Sequence, residues 1–258
     1  MRVTIRGTEI HVVESEPAGG ERGPSLLFIH GAGGNASIWD EQASFFCGRS
    51  RVFRLDLPGH GRSSGRGEDG IQAYTEWVRG FVESASCPEP VVVIGHSMGG
   101  AIALQLALDP PAMLHGMVLM GTGARLGVMP AIFQLLEADP EGFFRTIDLV
   151  AYGSSASKEL RKKGTDTIRG CPLPVILKDF RACDRFNVKN RLQEIKLPTL
   201  IVCGEEDKLT PVKHSVFLSE HIPGSRLVLI PEVGHMAMVE EPVTVNTAIE
   251  DFLSSLPI

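Results

Sequence analysis

The feature that most constrains the fold is a regular alternation between short apolar runs and longer helical stretches. The apolar runs end in glycine or in a polar turn, and they cover residues 25–30, 51–57, 90–95, 116–121, 199–204 and 226–230. Nearly continuous apolar runs of this length are typical of strands buried on both faces of a parallel sheet. Helical stretches lie between most of them, at 37–46, 71–86, 98–108, 212–221 and 243–256. The pattern predicts an α/β fold, with a mostly parallel, doubly wound sheet and helices on both faces.

Two segments depart from the alternation. Alternating apolar residues before and after Gly7-Thr8 predict a hairpin at the N-terminus. From about 125 to 191 no strand is predicted, and glycine and proline cut the chain into several short helices. We expect this segment to be inserted over one end of the sheet. The chain then divides into a core of residues 1–123 and 193–258 and a helical cap of residues 124–192.

The inserted segment is rich in phenylalanine and leucine. Phe133, Phe143 and Phe144 are candidate substrate contacts in an apolar pocket, and the alternative is that they pack inside the cap. An apolar pocket would suit uncharged substrates. Asp184 and Arg185 stand near the end of the segment, where they form either a structural ion pair or a polar substrate contact.

Composition and charge exclude several function classes. A formal net charge of −6 is unfavourable for binding nucleic acid or an anionic membrane surface. The five cysteines are scattered without a C-x-x-C pair, so the sequence predicts reduced thiols and no zinc site. The first residues carry charges and no apolar signal core, and no apolar run is long enough to span a bilayer. We therefore expect a cytoplasmic protein; the oligomeric state is left open.

A strand-to-helix turn carries the strongest chemical signal. The apolar strand before residue 95 runs into Gly95-His96-Ser97-Met98-Gly99, which has the pattern G-x-S-x-G, and a helix follows at once. That context is what a nucleophile elbow requires, because the serine stands in a sharp turn that needs glycine neighbours. The turn would lift the Ser97 hydroxyl above the sheet and aim the Met98 amide, at the helix N-terminus, toward an oxyanion. The alternative is an accidental match to a short motif.

With this motif in place, the chain resembles the α/β-hydrolase family over essentially its whole length. The family orders its catalytic residues as Ser, then Asp or Glu, then His. The resemblance implies that His235, in a loop just after the apolar run 226–230, is the base that activates Ser97. It also implies that Asp207 orients this histidine, with Glu205 or Glu206 as the alternatives.

A glycine-rich loop after the first buried strand supplies the second candidate oxyanion donor. The sequence of residues 31–34, Gly-Ala-Gly-Gly, follows His30 and resembles the family's H-G-x-G motif. The resemblance implies that the backbone amide of Ala32 joins that of Met98 in an oxyanion hole. Glycines in such a loop let the backbone approach the substrate closely. We expect His30 to hydrogen-bond nearby loop backbone.

The same loop allows a rival interpretation as a dinucleotide site. Residues 31–36 fit G-x-G-x-x-A after a strand, and Asp56 ends the next strand about 20 residues on. Against this, His30 is polar where a dinucleotide-binding strand is normally apolar. Residues 56–61 also resemble the hydrolase family's D-x-P-G-x-G turn, and the rival leaves Ser97 unexplained.

These observations predict a serine hydrolase of the carboxylesterase kind, which cleaves small apolar esters through an acyl-enzyme and needs no metal or organic cofactor. A serine nucleophile excludes the family's dehalogenases and epoxide hydrolases, which use aspartate. Carbon–carbon bond hydrolysis, or another reaction on the same triad, is the first alternative. A signalling receptor that keeps the triad but only binds its ligand is a second. Fold and triad alone do not fix the substrate.

Overall fold

Strands from both ends of the chain form a single sheet. The computed structural model describes residues 1–16, 23–84 and 86–257. Within them the strand order is β1-β2-β4-β3-β5-β6-β7-β8. The strands are β1 (Arg2–Ile5), β2 (Thr8–Ser15), β3 (Ser25–Ile29), β4 (Val52–Leu55), β5 (Val91–His96), β6 (Leu114–Met120), β7 (Thr199–Gly204) and β8 (Arg226–Ile230). Strands β1 and β2 pair antiparallel, and β3 to β8 pair parallel, as the apolar runs predict.

Helices cover both faces of this sheet. On one side Leu27 and Ile29 of β3 pack in a core shared with α2 (Ile71–Val82), α3 (Met98–Ala107) and α8 (Val212–His221). On the other side Leu26 and Phe28 pack with α1 (Asp40–Phe46), α9 (Ala237–Glu240) and α10 (Pro242–Ser254). Because successive strand residues face opposite sides, a continuous apolar run feeds both cores. The predicted doubly wound α/β fold is confirmed.

Several predicted boundaries shift by a few residues. The hairpin turn lies at Arg6 and Gly7, whose φ angles of 48° and 77° suit a tight two-residue turn. The helix predicted over 71–86 ends at Val82, because Ser84 donates from its amide and its hydroxyl to the Phe81 carbonyl and turns the chain. Ala85, inside the predicted helix, lies outside the described residues. The helix predicted from residue 37 begins as a 3₁₀ turn at Ala36–Trp39.

Four helices stand between β6 and β7, where the sequence predicts no strand. They are α4 (Pro130–Ala138), α5 (Pro140–Val150), α6 (Lys158–Arg169) and α7 (Leu173–Arg185), followed by a 3₁₀ turn at Lys189–Glu194. Most of their buried apolar side chains form a third apolar cluster, whereas Ala182 and Cys183 at the end of α7 pack in one of the two cores of the sheet. Among the described residues, none of the helices combines the length and the apolar character needed to cross a membrane. All five cysteines are free thiols.

Candidate active site

Ser97 occupies a strained turn between β5 and α3. Its φ and ψ of 53° and −114° lie in a region that side chains rarely adopt. The turn is possible because the residues two positions before and after Ser97 are glycines, which have no side chains. A Cβ on Gly95 would overlap the Gly99 carbonyl, and one on Gly99 would overlap the Ile29 carbonyl. The backbone is pinned by the Ser97 amide, which donates to the Met120 carbonyl at 2.9 Å.

The Ser97 side chain opens into a cavity of about 60 Å³. Its hydroxyl makes no hydrogen bond to any described residue, so it is free to turn toward a base or a substrate. His235 lines the same cavity. Catalytic hydrogen bonds are often formed only when substrate is bound, so an unmade bond to His235 is compatible with a nucleophile–base pair.

Asp207 and His235 lie after the neighbouring parallel strands β7 and β8, and the structure brings them together. The His235 Nδ1 and an Asp207 carboxylate oxygen are 2.8 Å apart, with both residues buried. Because Nδ1 faces Asp207, Nε2 is the ring nitrogen left for the cavity. Burial favours the neutral acid, but the charge and hydrogen bonds of His235 and Thr210 outweigh it, so the pKa of Asp207 lies below its usual value.

The two alternative carboxylates point elsewhere. Glu205 and Glu206 follow β7 directly, yet Glu206 accepts from the amide and hydroxyl of Ser154, at 2.6 and 2.8 Å. Sequence analysis misses Thr210, whose hydroxyl donates to Asp207 at 2.7 Å and lies 3.2 Å from the His235 Nδ1. Its position three residues after a turn carboxylate is the signal that could have found it.

His96 supports the loop that carries His235. Its Nε2 donates to the His235 carbonyl at 3.0 Å, and the two rings lie 4.6 Å apart. Burial and the neighbouring His235 hold the pKa of His96 well below its usual value, so this ring is neutral. Sequence analysis gave this residue no role, because nothing in the motif distinguishes it from a spacer.

The two backbone amides that the sequence predicts as oxyanion donors make no hydrogen bond within the described chain. In the glycine-rich loop, Gly33 donates to Asp179 and Gly34 donates to the Gly31 carbonyl, whereas the Ala32 amide bonds to no described residue. The Met98 amide, in the first turn of α3, is also uncommitted within the described chain, as expected at a helix N-terminus. Both amides are therefore free to donate to a ligand, one from a residue that lines the cavity and the other from the residue that follows Ser97.

Asp56, the key residue of the rival dinucleotide interpretation, is engaged by the protein itself. Its carboxylate accepts from the amides of Ala36 and Arg62 and contacts the His11 ring, each at 2.8–2.9 Å. A Cβ at Gly61 would overlap this carboxylate, which explains that glycine of the turn. A ribose bound at Asp56 would have to displace these donors. The contacts of Asp56 therefore argue against the dinucleotide interpretation.

The expectation for His30 is confirmed. Its Nε2 accepts from the Leu57 amide at 3.1 Å, and its Nδ1 donates to the Gly31 carbonyl at 2.8 Å. Burial and the positive His60 lower the pKa of His30 to about 4, so this ring is neutral and tethers the glycine-rich loop.

A buried carboxylate from the inserted helices holds the same loop. Asp179 of α7 is fully buried and accepts from the Gly33 amide and the His60 Nε2, both at 2.8 Å, and from the Tyr74 hydroxyl. Burial lowers the pKa of His60, but the charge and hydrogen bond of Asp179 outweigh burial and raise it from 6.5 to about 10. The loop that presents Ala32 is therefore anchored by an ion pair between helix α7 and the core.

This ion pair predicts a pH-dependent stability. Between pH 6.5 and about 10 the native protein keeps a proton on His60 that the unfolded chain has lost. The free energy of unfolding should fall across this range as pH rises. In His60→Gln the free energy of unfolding should lose this part of its decrease with pH, as measured by urea unfolding at pH 6, 8 and 10. His115→Gln, at a half-buried histidine outside the network, is the control. An unchanged slope in His60→Gln would contradict the assignment.

The three phenylalanines predicted to contact substrate do not line the cavity, and this part of the prediction is wrong. Phe143 is fully buried against Phe144 and Phe180, with ring centroids 5.4 and 5.6 Å away, and Phe133 is half-buried on α4. Only the last turn of α5 reaches the site, and Phe143 stands about 6 Å further back along the helix axis than Ile147. The apolar lining instead includes Ile147, Ala151, Ile168, Leu209 and Met236.

Asp184 and Arg185 form neither the predicted ion pair nor a substrate contact. Asp184 accepts from the Val128 amide at 2.9 Å, and Arg185 pairs with Asp69 at 3.0 Å. Consecutive residues of a helix point in different directions, which is why they find separate partners. Among the described residues, no three His, Cys, Asp or Glu side chains converge on a point that could hold a metal.

Comparison with known proteins identifies the family of this chain. A sequence profile of the alpha/beta hydrolase family matches residues 26–248. The chain belongs to this family. Pimeloyl-[acyl-carrier protein] methyl ester esterase of Aeromonas hydrophila is 27% identical over 247 residues, covering 90% of this chain and 96% of that protein.

Solved structures of alpha/beta hydrolases superpose over nearly the whole chain. A thermophilic esterase is 32% identical with a TM-score of 0.85, covering 98% of this chain and 96% of its own. Est816, described as an N-acyl homoserine lactone degrading enzyme, is 27% identical with a TM-score of 0.87, covering 98% and 100%. The relatives of this alpha/beta hydrolase therefore include esterases and an enzyme described as degrading an N-acyl homoserine lactone.

Proposed function

We propose that this chain is a serine carboxylesterase that hydrolyses small esters through an acyl-enzyme. The observation that carries the proposal is the shared cavity. Ser97 stands there on a strained elbow, beside a histidine whose Nδ1 is held by the buried Asp207. The similarity to esterases supports the same reaction class.

In the proposed mechanism, Ser97 attacks the ester carbonyl while the His235 Nε2 takes its proton. Asp207 holds the tautomer with the proton on Nδ1 and stabilises the imidazolium, without taking the proton itself. The amides of Ala32 and Met98 stabilise the oxyanion. His235 then protonates the departing alcohol, and water repeats the cycle on the acyl-enzyme to release the acid and restore Ser97.

The cavity supports a small and largely apolar reacting group. About 60 Å³ leaves room for only a few non-hydrogen atoms, because a single water occupies about 10–15 Å³ of such space. Ile147 and Ile168 come from the inserted helices, so these helices close the site from above. We accordingly propose residues 124–192 as the cap that sets substrate size.

A panel of esters graded by acyl length and alcohol size tests the proposal. Rapid multiple turnover on the short members supports it. Slow ester turnover with fast cleavage of a vinylogous diketone would contradict it in favour of a carbon–carbon bond hydrolase. A single turnover that leaves a stable adduct would contradict it in favour of a receptor.

The proposed base predicts the pH dependence of the reaction. Activity should fall on acidification from about pH 8 to 5, because a protonated imidazole cannot act as the base that accepts the Ser97 proton. The measurement is kcat/KM for a short ester across that range, with unfolding followed in parallel to separate inactivation from denaturation. A flat profile would contradict the role of His235.

A further inference from the structure

A second cavity adjoins the one at Ser97. We call the cavity at Ser97 the inner cavity and the second one, of about 80 Å³, the outer cavity. The two share four lining residues: Ile38, Gly164, Thr167 and Met236. The two cavities are therefore neighbours, and a group attached to an ester carbonyl at Ser97 that extends past these shared residues would enter the outer cavity between α6 and the 3₁₀ turn at Ala36–Trp39.

The outer cavity is lined by a phenol whose hydroxyl the fold does not use. Tyr152 is only 4% exposed and lines this cavity, yet its hydroxyl makes no hydrogen bond with the described residues. The hydroxyl itself keeps accessible surface in the cavity, so it can donate a hydrogen bond to a ligand there. Burial, with the charges of Glu240 and Asp148, raises the pKa of Tyr152 to about 12, which keeps the phenol a neutral donor.

The absence of a side chain at Gly164 leaves the space that the Tyr152 hydroxyl occupies. Gly164 lies inside α6, where glycine costs about 1 kcal/mol relative to alanine, and a Cβ there would overlap the Tyr152 hydroxyl. Tyr152 lines only the outer cavity, but Gly164 lines both, so the phenol hydroxyl lies beside a residue that the two cavities share. The local cost of glycine is understandable if the phenol is needed at this position.

The rim of the outer cavity carries charges of both signs. Lys163 is exposed and pairs with no described residue, whereas Asp40 pairs with Arg54, and Glu41 adds a second carboxylate. A rim with one cation and two carboxylates gives little electrostatic preference for an anionic or a cationic ligand. Beside these charged side chains, the neutral Tyr152 hydroxyl can then select a ligand group by donating a hydrogen bond to it.

We infer that Tyr152 is a specificity-determining residue whose hydroxyl donates a hydrogen bond to an uncharged oxygen on the outward arm of the ester. This inference rests on the proposed function and names its substrate class. One arm of the ester is short and apolar and fills the inner cavity. The other arm carries an ether, carbonyl or hydroxyl oxygen that reaches the outer cavity beside Gly164.

Two pairs of isosteric esters test the inference on the whole protein. 2-Methoxyethyl acetate and butyl acetate differ by one oxygen in the alcohol arm, and methyl 3-methoxypropanoate and methyl pentanoate differ by one in the acyl arm. The unaltered protein should show a higher kcat/KM for the ether member of one pair. Tyr152→Phe should reduce that ether-to-alkyl ratio by about 3–10-fold, the value of one neutral hydrogen bond.

The control and a second variant separate selectivity from folding. Tyr74→Phe removes the chain's only other phenol, at a place outside both cavities, and should leave the ratio as it is even if the protein is less stable. Gly164→Ala keeps Tyr152 but displaces its hydroxyl, so it should reduce the ratio in the same direction. An unchanged ratio in Tyr152→Phe overturns the inference while leaving the proposed function intact. If the unaltered protein hydrolyses none of the four esters, the proposed function fails and the inference falls with it.

Discussion

Replacing Ser97 with alanine should lower kcat for a short chromogenic ester by about 10⁴–10⁶-fold. The expected loss is this large because no other group can form the acyl-enzyme once the hydroxyl is gone, and the members of a catalytic triad act as a unit. The substitution should not disturb the fold, since the Ser97 side chain bonds to no described residue and the turn is held by its backbone. The measurement is steady-state turnover, with thermal unfolding as the check on structure.

A covalent probe gives an independent test of the same assignment. A serine-directed phosphonate should label the unaltered protein at one site and should fail to label Ser97→Ala. Ser44→Ala is the matched control, because Ser44 is exposed on α1 and does not line the cavity at Ser97. Retention of most esterase activity in Ser97→Ala, or labelling that persists there, would contradict the role of Ser97 as nucleophile.

The parts of this site that sequence reasoning anticipates are those fixed by local geometry. The strand over 91–96, the glycines around Ser97 and the helix that follows are set by neighbours in the chain, so a short motif carries them. Asp207 and His235 could be anticipated from the family resemblance, and both follow parallel strands, whose carboxyl ends meet at one edge of the sheet. Their mutual distance of 2.8 Å is then a consequence of neighbouring strands.

The parts that sequence reasoning misses depend on contacts across long chain separations. Asp179 reads as an ordinary charge on an amphipathic helix, yet it bonds to Gly33, 146 residues away. The prediction of the residues that line the cavity fails for a related reason. Phe143 and Ile147 share one face of α5, and only the placement of the whole helix decides that Ile147 reaches the cavity. Packing of inserted helices is not encoded in a periodicity, because the same apolar stripe fits several positions.

Asp207→Asn is expected to lower kcat by about 10⁴-fold while leaving the fold in place. The amides of Leu209 and Thr210 both donate to one oxygen of this carboxylate, at 2.9 and 2.8 Å. In the variant they would hold the amide oxygen at that position and turn the NH₂ group toward His235. The ring would then accept at Nδ1 and carry its proton on Nε2, where it could not take the proton of Ser97.

Glu206→Gln is the matched control, since Glu206 is adjacent in sequence but bonds to Ser154 outside the cavity. It removes one negative charge from the same turn, so a general electrostatic effect would appear in both variants. We expect Glu206→Gln to stay within a few-fold of the unaltered protein, because charges exposed to solvent act weakly at a distance. Equal losses of kcat in the two variants would mean that the turn contributes to catalysis only through its negative charge. A loss confined to Asp207→Asn would mean that the tautomer of His235 limits the rate.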